Sequence, residues 1–160
     1  MVTFLFTDIE GSTRRREADA DAMRTALVAH DEVLRFEIEA HGGFCSVTRV
    51  TGWSPREHRR DPQWMPRWLR SGRWSLPVRM GLATGEAELR DGDYFGAVLN
   101  RAARVIAAGH GGQVLLDGTT AGLCSTIDLI ALGPRRLRDI AKPVEMKIKL
   151  SVRESCWGTG

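Results

Sequence analysis

A chain of 160 residues with a net charge of +3 is sized for a single domain that can bury a real core. Its apolar runs fall well short of the ~20 residues that a membrane-spanning helix needs, and Met1 leads directly into a strand pattern, so neither a span nor a secretory leader is expected. Cys45, Cys124 and Cys156 are odd in number and lack metal-ligand spacing, which points to reduced thiols and a cytoplasmic setting.

In chain order, residues 2–7 read as a buried strand, rich in Val, Thr and Phe and almost uncharged. The strand runs into Thr7-Asp8-Ile9-Glu10-Gly11-Ser12-Thr13. A carboxylate at a strand end followed by a Gly-Ser-Thr turn suits a divalent cation held against a polyphosphate. Asp8 offers a hard oxygen to Mg²⁺ or Mn²⁺, and the turn at Gly11, Ser12 and Thr13 offers backbone N–H groups to phosphate. An isolated Asp here is more often an ordinary turn cap, and it is the surrounding Phe-Thr-Asp-Ile-Glu-Gly-Ser-Thr that favours the cation. Arg14-Arg15-Arg16 reads as a solvated helix start. From Asp19 to about His41, Met23, Leu27, Leu34 and Ile38 recur at helical spacing, and His41-Gly42-Gly43 supplies a stop.

Residues 44–76 break the pattern. They hold seven Arg against Glu57 and Asp61, a local charge of +5 that leaves −2 for the remainder, so the basic pI belongs to this one segment. Trp53, Trp64, Trp68 and Trp74 follow no sustained period, and Pro55, Pro62 and Pro66 forbid a long helix. Arg outnumbers Lys twenty to three, as in a GC-rich coding sequence. Arg, Trp, Pro and Ser are also what such DNA encodes out of frame, so a compensated frameshift ending near Leu76 is the expectation. Residues 155–160 have a similar character. Basic residues with interleaved aromatics also suit a single-stranded polyanion, but nothing aligns them on one groove, and nucleic acid is not the expected partner.

After the break, Val78-Arg79-Met80-Gly81-Leu82 alternates as a strand and Asp91-Gly92 marks a turn. Val98, Leu99, Ala102, Ala103, Val105 and Ile106 form an apolar helix face closed by Gly109-His110-Gly111-Gly112. Residues 113–116 read as a strand, 119–124 as a short helix, 127–132 as a strand and 144–152 as a final strand. Strands alternating with helices make the domain α/β (α+β), with mixed strand directions. The domain is expected to span 1–152, with 153–160 as a tail. His30, His41, His58 and His110 lack ligand spacing and read as structural or surface residues. Asn100 and Arg104 lie four apart and share a helix face, where an amide and a guanidinium could orient a ribose and stabilise charge on a transferring phosphoryl group.

Three ordered stretches, Phe6 to Thr13, Gly81-Leu82-Ala83-Thr84-Gly85-Glu86 and Asp91 to Arg104, together resemble the class III nucleotidyl cyclase catalytic domain. The resemblance covers residues 2–43 and 77–150. It implies a ferredoxin-like fold, a mixed sheet with helices packed on it, and conversion of ATP to 3′,5′-cyclic AMP and pyrophosphate, with GTP as the other candidate substrate. It also implies two Mg²⁺ or Mn²⁺ ions and a head-to-tail dimer, either a homodimer or a heterodimer with another cyclase domain. In that family one chain supplies the metal carboxylates and the other the Asn/Arg pair.

By the resemblance, Asp8 and the Ile9 backbone carbonyl are metal ligands, and Asn100 and Arg104 are the transition-state residues. Asp93 falls at a base-reading position. The second metal Asp belongs in a Gly-Asp-Gly hairpin, but this chain reads Thr48-Arg49-Val50-Thr51-Gly52-Trp53-Ser54. Trp53 stands at the Asp position and Arg49 at that of a base-reading Lys. An indole cannot ligate Mg²⁺. The expectation is therefore a disrupted central hairpin and second helix, and a weak or inactive cyclase. The alternatives are a non-catalytic partner that donates Asn100 and Arg104 to an intact cyclase, or a polyanion-binding module.

Overall fold

The computed structural model describes residues 1–40, 42–45, 50–53, 76–91, 93–124 and 127–150, with backbone alone for 44–45, 50–53 and 150. Along the chain run β1 (Val2–Ile9), α1 (Ser12–Ala18), α2 (Ala20–Ala40), β2 (Phe44–Cys45), β3 (Val50–Trp53) and β4 (Val78–Gly85). The second half holds β5 (Glu88–Arg90), β6 (Asp93–Phe95), α3 (Ala97–Ala107), β7 (Gln113–Asp117), α4 (Gly118–Leu123), β8 (Ile130–Arg135) and β9 (Val144–Leu150). Seven strands form one sheet in the order β2-β3-β1-β4-β7-β9-β8. Within it β4 and β7 are parallel and the other neighbours antiparallel, which gives the expected mixed sheet with helices against it. β5 and β6 form a separate hairpin, tied to the core where Tyr94 meets Phe4 edge-on at 5.4 Å.

Side-chain alternation along β1 divides the core. Leu5 and Ile9 pack with Met23, Leu34 and Ile38 of α2 and with Val78, Met80 and Leu82 of β4. Phe4 faces the opposite way, onto Ala83, Val98 and Ala102, with Phe6 beside them. Helix α2 forms because its apolar residues return every three or four positions, and its first turn is held by Asp19, whose carboxylate accepts from Ala22 N–H at 2.9 Å. Helix α3 lies close on β4: a Cβ at Gly81 would sit 2.6 Å from the Ile106 nitrogen. Only glycine permits that approach.

Two expectations are corrected here. The central hairpin, expected to be disrupted, is paired: Phe44 opposes Gly52, Cys45 opposes Thr51, and β3 continues onto β1 with Trp53 opposite Thr3. Ladder pairing uses only backbone groups, so the residue at Trp53 does not prevent it. The strand expected over 127–132 begins at Ile130, because Ile127 donates its N–H to the Cys124 carbonyl (3.5 Å) in a turn while packing against the core. The second helix and the Arg/Trp run fall largely at 54–75, outside the described residues, as does the tail at 153–160.

The close contact at Gly81 is open to a direct test. Gly81→Ala should cost at least ~2 kcal/mol, since the new methyl meets backbone rather than a movable side chain. Gly122→Ala, in α4 with open space around it, should be neutral or stabilising by up to ~1 kcal/mol. Urea denaturation of the two variants measures both, and equal stabilities would contradict this packing.

Candidate active site

At the C-terminal end of β1, Asp8 lies opposite Arg79 of β4 in antiparallel register. Arg79 donates from Nε (2.9 Å) and Nη2 (2.6 Å), both to Asp8 Oδ2, and from Nη1 to the Gly109 carbonyl (3.2 Å). Neither contact with Asp8 uses Oδ1. A carboxylate so held keeps acceptor capacity for another ligand, and about a third of the Asp8 side chain is exposed. Sequence reasoning missed Arg79. The alternation of β4 placed it in a strand, but its partner is 71 positions away and depends on register.

The segment after Asp8 is held from below. Glu10 N–H donates to the Pro77 carbonyl (3.0 Å), and the Glu10 carboxylate accepts from Gly111 N–H (3.2 Å) and lies 3.6 Å from His110 Nδ1. The loop after α3 is thereby fastened to the end of β1. Gly11 adopts φ +69°, with nothing within 4 Å of where a Cβ would stand, and α1 starts at Ser12 with Thr13 in its first turn. Ile9 is buried in the sheet, so its side chain belongs to the core and only its backbone carbonyl is a candidate ligand.

Asn100 and Arg104 occupy successive turns of α3. Asn100 is exposed, and Arg104 donates from Nη2 to Asp139 Oδ2 at 2.7 Å. Between them Arg101 turns inward. Its Nε donates to Asp117 Oδ2 (2.8 Å) and its Nη2 to the Thr84 carbonyl (2.8 Å). Asp117 is 2 % exposed and caps α4, accepting from Thr120 N–H (2.8 Å) and Oγ1 (2.7 Å). The Thr84 hydroxyl joins those of Thr3 (2.8 Å) and Thr120 (2.9 Å). This buried network fixes α3 against β1, β4 and β7. It too was missed, although Asp117-Gly118-Thr119-Thr120 is a readable cap sequence.

Asp93, the first residue of β6, is exposed on the small hairpin, opposite Arg90. Among the described residues no hydrogen bond or ion pair joins the Asp8 group to Asn100, Arg104 or Asp93. Among them, too, no group of three or more His, Cys, Asp or Glu side chains converges as a metal cage. Trp53 stands in β3, but its side chain lies outside the described residues, as does Arg49. Burial pushes the Cys124 thiol up to about 12, against a smaller opposing effect of Lys147, and its Sγ donates to the Thr120 carbonyl (3.2 Å). It is a core thiol and not a nucleophile.

No family model matches the chain. It is 36% identical over 151 residues to an uncharacterized protein of Mycobacterium tuberculosis, covering 89% of this chain and 53% of that protein. It is 31% identical over 205 residues to a receptor-type adenylate cyclase of Trypanosoma equiperdum, covering 91% of this chain and 43% of that protein. A solved structure of adenylate cyclases from Trypanosoma brucei in their monomeric state superposes with a TM-score of 0.75 at 27% identity, over 92% of this chain and 86% of that one. The chain is a homologue of class III nucleotidyl cyclase catalytic domains. This cyclase homology domain spans about half the length of the curated relatives it matches. Among its described residues no helix is long and apolar enough to cross a membrane.

The two aspartates at the ends of β1 and β7 should behave differently on substitution. Asp117→Ala removes a cap and strands a part-buried guanidinium, at a cost of about 3–5 kcal/mol. Asp8→Asn breaks a pair that is about one-third exposed and should cost less than about 1 kcal/mol. Chemical denaturation ranks the two. A larger loss at Asp8 would make that residue a structural element and remove it as a candidate ligand.

Proposed function

We propose that this cyclase homology domain takes part in class III nucleotidyl cyclase chemistry, with ATP as substrate and a second cyclase chain as partner. In the reaction the ribose 3′-oxygen attacks the α-phosphorus in line. The bond to the bridging oxygen breaks, pyrophosphate leaves, and the 3′-hydroxyl proton is lost. Asp8 through Oδ1, together with the Ile9 carbonyl, would hold one Mg²⁺ or Mn²⁺, since hard oxygen donors suit either ion. The bound cation supplies charge neutralisation at the polyphosphate. Gly11, Ser12 and Thr13 would face the phosphates from the open turn. Asn100 would orient the ribose and Arg104 would meet charge on the α-phosphate, while Asp93 would touch the base.

One observation carries this reading. Arg79 holds Asp8 and Asp139 holds Arg104, Asn100 is exposed, and among the described residues no hydrogen bond or ion pair joins the two groups, so each half has room for a complement from elsewhere. A head-to-tail dimer supplies that complement. Trp53 stands where the family carries its second metal Asp, so we further propose that turnover by this chain alone is weak or lost. Losing one carboxylate ligand costs about 10³-fold or more in rate. The chain then acts by lending Asn100 and Arg104 to an intact cyclase subunit.

A cyclase assay with Mn²⁺ and ATP decides between these roles. The chain alone should give little product, and mixing it with an active cyclase whose own Asn and Arg have been replaced should restore turnover. Asn100→Ala or Arg104→Ala in this chain should reduce the restored rate by about 10²-fold or more. Robust turnover by the unmixed chain would show that Trp53 does not disable it. Absence of restoration would remove the partner role.

A further inference from the structure

We propose that Asp139 is an affinity-setting residue, an internal carboxylate that occupies Arg104 and must be displaced by the substrate's phosphate. The inference rests on Arg104 meeting phosphate, as proposed above. Asp139 sits in the turn between β8 and β9, where Ile140 N–H donates to the Leu137 carbonyl (3.2 Å). Its φ is +58°, a left-handed conformation in which glycine is the unstrained residue. An aspartate kept there bears a conformational cost, and its carboxylate has a visible use. Oδ2 accepts from Arg104 Nη2 at 2.7 Å, and Arg138 Nε lies 3.5 Å from the same oxygen.

The turn is anchored where it can do this. Leu137 is buried with Val105, the residue after Arg104, and with Leu115, Met146 and Ile148. The anchor on α3 therefore brings Asp139 beside Arg104. A carboxylate and a phosphate oxygen compete for the same N–H donors, and both neutralise the same charge. Two guanidiniums around one carboxylate leave a net positive charge, which attracts a polyanion to a place already filled. The pair is partly solvated, with Arg104 37% and Asp139 60% exposed, so displacement is readily reversible. Asp139 would thus weaken phosphate binding by a modest factor and keep Arg104 fixed while no phosphate is present.

The test is calorimetric binding of a non-cyclisable ATP analogue with Mn²⁺ to the full chain mixed with an active cyclase whose own Asn and Arg have been replaced. Asp139→Asn and Asp139→Gly should each tighten binding about two- to fivefold, the factor expected for a surface ion pair. Both substitutions tolerate the positive φ, so the fold is retained. In an Arg104→Ala background the same changes should have no effect. Unchanged or weaker binding in the single variants, or tightening that persists without Arg104, would overturn the proposal. If Arg104→Ala alone left analogue binding unchanged, Arg104 itself would be misassigned, and this role of Asp139 would fall with it.

Discussion

The ion pair of the part-buried Arg101 with the buried Asp117 is the constraint on which the arrangement of this domain rests. Asp117 ends β7, begins α4 and neutralises a guanidinium from α3, while the hydroxyls of Thr3, Thr84 and Thr120 fill the space around it. A carboxylate that deep is tolerated only because each of its oxygens has a donor. The result is a fixed placement of α3 on the sheet, and Asn100 and Arg104 flank Arg101 on that helix. Their aim toward solvent is set by a contact that points the opposite way.

The Asp8 group is organised on a different principle. Asp8 is at the surface end of a strand and is restrained by Arg79, whose third contact reaches the loop after α3. Glu10 makes a second tie to that same loop. The contrast between the two aspartates follows from burial. One is locked on every side, and the other is steadied on a single oxygen.

Much of this was legible in the sequence where the governing pattern is local. Alternation identified β1 and β4, the three-to-four spacing identified α2 and the buried face of α3, and the Asp8 and Asn100/Arg104 stretches carried the family resemblance that the superposition bears out. What stayed hidden depends on register. Arg79 meets Asp8, and Asp139 meets Arg104, across 71 and 35 positions. No periodicity encodes such pairs. Ile127 was misread because an apolar residue that covers the core from a turn looks, one letter at a time, like the start of a strand. Trp53 was read as a breaker of its hairpin, but strand pairing is indifferent to a side chain that a ligand set would not accept.

The glycine at position 81 also places two contacts on one short stretch of strand. At Gly81 the backbone of α3 rests almost directly on β4, with no side chain between them. Arg79 lies two residues before that contact, and it grips both Asp8 and the end of the α3 segment. The seat of α3 and the restraint on Asp8 thus fall on one three-residue stretch of β4, so a substitution that shifts the strand there disturbs both.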